Sequence, residues 1–98
     1  MENKVTLIVK ATINPDETDS FNAYIGRLTE LYAKVNAEPI GYYPIKETLV
    51  GNELPSFLAI YKFEDKEALN AVYETHEYKN TMLPLRNKGF KNLEVYLG

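Results

Sequence analysis

The sequence predicts an α+β domain of the ferredoxin-like class: elements in the order βαββαβ, a four-stranded antiparallel sheet, and both helices on one face of it. Three observations predict this. A β-branched N-terminal run stops at Asn14-Pro15-Asp16-Glu17. The stretch Phe57 to Phe63 is apolar on both faces. In the last third one helix stops, a second restarts at Thr75, and a strand closes the chain.

The first strand covers Val5 to Ile13, with Val5, Leu7, Val9 and Ala11 on one face and Thr6, Ile8, Lys10 and Thr12 on the other. Asn14 then caps a helix whose first position is Pro15, and Glu17 stands three residues after the cap, so orphan backbone donors are accepted or absent. That helix carries Phe21, Tyr24, Ile25, Leu28, Leu31, Tyr32 and Val35 at three-to-four spacing, one apolar stripe that belongs on a sheet. Pro39 and Gly41 break the helical pattern. Ile40 to Val50 reads as the second strand, with Pro44 at an edge or bulge because it cannot donate to a ladder. GNELP at 51–55 is the turn into the third strand. Asp65 caps a helix holding Ala68, Leu69, Val72 and Tyr73, and Thr75 caps a second segment with Tyr78, Met82 and Leu85 on one side. Pro84 ends or kinks that segment, Gly89 stops it, and Leu93 to Leu97 is the last strand.

A chain of 98 residues with 45% hydrophobic and 26% charged residues implies one domain over 1–98. It buries only about 60–65% of its unfolded surface, so association would stabilise it. The net charge of −3, with scattered basic residues, argues against a nucleic-acid partner. The absence of cysteine removes disulfides, thiolate nucleophiles and thiolate metal ligands, and fits a reducing compartment. The N-terminal apolar run is too short for a signal segment and no stretch approaches a membrane span, so a soluble, cytoplasmic protein with no membrane partner is the expectation.

In the predicted sheet the face away from the helices carries Ile8, Leu58, Ile60 and Tyr96, a larger apolar patch than a soluble monomer commonly exposes. A homodimer through this sheet face would bury it. The alternative is cover by the 51–55 loop or the C-terminal tail of the same chain.

Over residues 63 to 86 the chain resembles the DUF1330 family of the dimeric α+β barrel superfamily. The resemblance rests on Phe63, Glu67-Ala68, Tyr73, Glu77-Tyr78 and Pro84-Leu85-Arg86, with Phe21 and Tyr24 earlier and Val50-Gly51 at the end of the second strand. Val72 stands where the family usually has Trp, His76 where it has Pro, and a customary Gly-Gly is replaced near Ala37-Glu38. The resemblance implies a dimeric α+β barrel. The superfamily also holds cofactor-free monooxygenases similar to those of antibiotic biosynthesis, haem-degrading enzymes and members without an assigned activity, and fold does not choose among them.

The candidate catalytic residues are His76 and Arg86. His76, the only histidine, has the one side chain that titrates near neutrality unperturbed, and reads either as a general base or as an exposed helix-start residue. Arg86 offers a planar fork to a carboxylate or phosphate, or an ion pair to Glu77, Glu74 or a partner carboxylate. Eight tyrosines suggest a phenol-lined cavity for a flat aromatic ligand, with Tyr61, Tyr78, Tyr24 and Tyr42 as ligand-binding candidates, or a tyrosine-rich core and interface. There is no metal-ligand spacing, nucleophile elbow or phosphate loop, so no metal and no cofactor are expected. The first expectation for function is a homodimer binding a small aromatic or carboxylated metabolite. The second is a cofactor-independent monooxygenase or isomerase with His76 or a tyrosinate as base, and the third a structural or regulatory dimerisation module.

Overall fold

β1 (Val5–Ile13) forms the centre of the sheet because both its neighbours pair with it antiparallel: β3 (Phe57–Phe63) on one side and β4 (Phe90–Leu97) on the other. The computed structural model describes residues 4–98. β2 (Glu38–Pro44) adds to the outer side of β3, giving the order β2-β3-β1-β4. The helices are α1 (Thr18–Lys34), α2 (Lys66–Tyr73) and α3 (Leu83–Gly89). The result is the ferredoxin-like α+β arrangement, with the core residues Leu7, Ala11, Phe57, Ala59 and Phe63 of the sheet buried among Tyr24, Leu31, Tyr32, Leu69, Val72, Tyr78 and Met82.

Local chemistry explains where the elements begin. Asn14 accepts a hydrogen bond from the Asp16 amide, and a single 3-10 turn at Pro15–Glu17 leads into α1. Asp65 accepts from Ala68 N at 2.8 Å, and Thr75 Oγ1 accepts from Tyr78 N at 3.1 Å, each capping a helical start. α1 ends on Asn36 with φ 58°, and the amides of Asn36 and Ala37 bond back to Ala33 and Tyr32. Asn36 thus supplies the left-handed residue usually given by glycine.

One expectation is corrected and another narrowed. The second strand begins at Glu38 and stops at Pro44, not at Val50: Pro44 has no amide to continue the ladder, Ile45 N turns to Ser56 O, and 46–55 is an exposed loop. Of the two outcomes read for Pro84, ending or kinking its segment, the first does not occur. The preceding turn, Tyr78–Met82, widens to a π turn in which Leu83 N reaches back to Tyr78 O, and α3 continues to Gly89.

The helices cover only one face, and the molecule is 16 Å across its thinnest dimension, the depth of two layers. On the open face, the paired register lines up Tyr43, Leu58, Lys10 and Glu94 in one row and Gly41, Ile60, Ile8 and Tyr96 in the next. The Tyr43 ring lies across Gly41, where any Cβ would meet it at 2.5 Å. Lys10 pairs with Glu94 at 3.0 Å and with Glu53 of the loop at 3.5 Å, which fixes the loop beside this face.

Candidate functional site

α1, the Tyr78 turn and α3 bring three of the sequence-predicted residues together. Tyr24 stands on the buried stripe of α1, Tyr78 follows the Thr75 cap, and Arg86 projects from α3. The Tyr24 and Tyr78 hydroxyls are 2.8 Å apart, and Arg86 Nη1 donates to Tyr78 Oη at 3.2 Å. The Arg86 guanidinium also stands 5.9 Å from the centre of the Tyr78 ring. Tyr73 packs edge-on against Tyr78, with ring centres 4.8 Å apart, and its hydroxyl hydrogen-bonds that of Tyr32. The result is a connected phenol network within the protein.

This network forms one wall of a cleft of about 250 Å³. The wall is Tyr24, Tyr73, Tyr78, Leu69, Asn70 and Arg86; the floor is Leu7 with Leu93, Val95 and Leu97 of the edge strand β4. Val95 and Leu97 point to the helix side yet remain 43% and 47% exposed, because the helices stop short of β4 and leave the cleft open there. An inner gap of about 30 Å³ shares Tyr24, Tyr73, Leu93 and Val95 with the cleft and carries the lining on to Tyr32 and Tyr61. It has room for about one water.

The remaining predicted residues are not in the cleft lining itself. Tyr61 lines a neighbouring cleft of about 300 Å³ with Tyr32, Ile25, Leu28 and Pro39. Tyr42 is on edge strand β2, 61% exposed against Phe57, and is not among the residues lining the cleft. His76 is exposed and likewise stands outside the cleft lining. Tyr96 sits on the open sheet face, where the sequence reading put it, and Tyr43 is there too, since strand alternation sends both away from the helices. Tyr32 completes the phenol network without any motif to announce it. Its place on the α1 stripe marks it only as core.

Electrostatics separate two roles. Arg27 holds Glu77 with a forked ion pair, Nη2 to Oε1 at 2.8 Å, and reaches Glu30 at 3.1 Å; Lys79 pairs with Glu74 at 3.2 Å. The two carboxylates that sequence reading offered to Arg86 are therefore engaged, and Arg86 forms no ion pair among the described residues. Burial is the first cause that pushes Tyr24, Tyr32 and Tyr73 well above the ordinary phenol value, reinforced for Tyr24 by Tyr78 and for Tyr32 by Tyr73. Tyr61 is raised by burial as well. Burial thus opposes ionisation of these phenols, which weighs against a tyrosinate base at these four positions. Among the described residues no group of acidic or histidine side chains has the placement of a metal site, and no helix is long and apolar enough to cross a membrane.

The family model described as Domain of unknown function (DUF1330) matches residues 5–96. No curated protein matches the sequence. Among solved structures, the chain is similar to a protein of unknown function from Rhodopseudomonas palustris, at 13% identity and TM-score 0.84, covering 100% of this chain and 82% of that one. It is also similar to SnoaB, a cofactor-independent oxygenase from Streptomyces nogalater, at 17% identity and TM-score 0.65 over 98% and 91% of the two chains. A NIPSNAP-like domain protein from Burkholderia xenovorans follows, at 14% identity and TM-score 0.62 over 99% and 84%. At these identities the likeness is one of fold.

Proposed function

Because the chain belongs to the DUF1330 family, a domain of unknown function, its role has to be read from its own cleft, and we propose that it is a homodimeric binding protein for a small aromatic or carboxylated molecule. The observation that carries this reading is the cleft itself: an apolar floor on β4 faces a wall of phenol rings with one guanidinium that pairs with no carboxylate among the described residues. Such a site suits a flat ring, stacked against tyrosine and oriented by hydroxyls. The second copy takes the open sheet face. Ile8, Leu58 and Ile60 lie at its centre with no helix above them, and closed two-fold pairing covers such a face on both chains at once.

A second reading, the cofactor-independent monooxygenase, draws on the fold shared with SnoaB. It needs a base to deprotonate the substrate before oxygen reacts. Burial opposes ionisation of Tyr24, Tyr32 and Tyr73, and His76 is exposed and outside the cleft lining, so His76 serves only a substrate that extends beyond the cleft. The binding reading needs no base and is preferred.

A thermal-shift panel of phenols and quinones tests the binding reading, with a rise in melting temperature expected for compounds that fill the cleft. Val95→Arg, which projects a long charged side chain from the edge strand into it, is expected to abolish the response while leaving the unliganded melting temperature within a few degrees. No shift with any compound contradicts the reading. Sedimentation of the same samples is expected to show two chains, and Ile60→Glu, at the centre of the open face, one.

A further inference from the structure

The hydroxyl protons of the cleft do not all have places to go. Tyr24 and Tyr78 carry two protons between them, and the hydrogen bond joining them uses one, whichever way it runs. Arg86 also donates to Tyr78 and, being a guanidinium, accepts nothing. Among the described residues neither hydroxyl has a further hydrogen-bond partner, so one proton of the pair is surplus, although both residues are only 3% exposed. The Tyr32–Tyr73 pair has the same arithmetic. The rest of the lining is Leu7, Leu69, Leu93, Val95 and Leu97, with one amide, Asn70, that both donates and accepts. On its other side Arg86 borders an open groove holding Asn87, Lys91 and Asn92, which adds a second positive charge and no carboxylate.

From this donor excess we infer that the cleft takes an aromatic anion, a carboxylate or an enolate or phenolate, with its charged oxygen at the Arg86–Tyr78–Tyr24 end and its ring on Leu93, Val95 and Leu97. The inference rests on the reading of this cleft as the ligand site. A charged oxygen accepts the surplus hydroxyl proton and a guanidinium N–H together, and charge-assisted hydrogen bonds of this kind are about twice as strong as neutral ones. A neutral alcohol also accepts, but without charge assistance and while adding a donor to a site that already has one too many, and an amine brings charge of the same sign as Arg86. Burial keeps Tyr24 protonated, which preserves its role as donor.

A matched series tests the assignment: naphthoate, naphthalene-methanol and naphthylmethylamine, titrated calorimetrically into the full chain at neutral pH. Naphthoate is expected to bind at least about tenfold more tightly than the alcohol, with the amine weakest. Arg86→Met and Tyr78→Phe, each folded by circular dichroism, are expected to bring acid and alcohol to within about twofold of each other. Equal affinities for acid and alcohol in the unmodified protein, or an acid preference that survives Arg86→Met, would overturn the anion assignment and leave the cleft as a site for neutral arenes. If none of the three binds, both the cleft reading and the anion assignment fall.

Discussion

Raising the pH above about 10 is expected to unfold the protein cooperatively, with at least three of its eight tyrosines ionising only as it unfolds. Burial lifts Tyr24, Tyr32 and Tyr73 above their ordinary value near 10, so the unfolded chain loses those protons first. A raised folded value means that the stabilisation is fully present below pH 10 and is lost as pH rises past it. Each group contributes a slope of about 1.4 kcal/mol per pH unit, about 4 kcal/mol per unit for the three together, against a total stability of about 5–10 kcal/mol. Lys10, raised by its hydrogen bond to Glu94, weakens the folded state on the same side as it finally deprotonates. On the acid side Glu77 and Glu94, held low by Arg27 and Lys10, lose their contribution as pH falls through their folded values; both are solvent-screened, so that limb is shallow. Tyrosinate absorbance followed alongside circular dichroism is expected to show a late, coincident step, and Tyr32→Phe to reduce its slope by about one third. Ionisation of all eight phenols near pH 10 with the fold intact would contradict the buried network.

Gly89→Ala is expected to be the most damaging single-methyl change in the chain. A Cβ at position 89 would stand 2.8 Å from Phe21 Cα and 2.9 Å from Phe21 N. Both are backbone atoms of α1 and cannot swing aside as a side-chain tip would. The same crossing is tied by Asn14 N to Gly89 O at 2.9 Å and by Asn14 Nδ2 to Lys88 O at 3.2 Å, so relief by sliding breaks hydrogen bonds. Phe90 packs edge-on to Phe21 and Tyr24 immediately beyond, with ring centres 5.3 and 5.7 Å apart. Overpacking of this kind costs about 3 kcal/mol when the neighbours cannot yield, and urea unfolding measures it. Because α3 carries Arg86, ligand affinity is expected to fall along with stability. A loss below about 0.5 kcal/mol would mean that α1 and α3 are further apart than described.

The architecture was legible in the sequence where local chemistry and periodicity agreed. Asn14, Asp65 and Thr75 are side chains that cap, and Phe57 to Phe63 is an interior strand that buries Phe57, Ala59 and Phe63 under the helices while Leu58 and Ile60 give the open face its apolar character. The end of β2 was not legible, because Thr48, Leu49 and Val50 have strand-forming character but no neighbouring strand to pair with. Asn36 took a role that glycine usually signals, and the π turn before Pro84 depends on the backbone finding a fifth-residue acceptor, which no residue pattern announces. For the site, Tyr24, Tyr78 and Arg86 were identified singly and the fold joined them. The freedom of Arg86 was hidden, because it arises from Arg27, fifty residues before Glu77, claiming the carboxylate nearest to Arg86 in the motif. Tyr42 misled because alternation alone does not say that an edge strand leaves its ring in water.

The most direct test of the whole account is a crystal structure of the protein soaked with naphthoate. The ring is expected between the β4 side chains Leu93, Val95 and Leu97 and the Tyr73–Tyr78 wall, with the carboxylate within hydrogen-bond distance of Arg86 and of the Tyr24–Tyr78 pair. An aromatic ring bound elsewhere, or one seated in the cleft with its carboxylate turned away from Arg86, would contradict it.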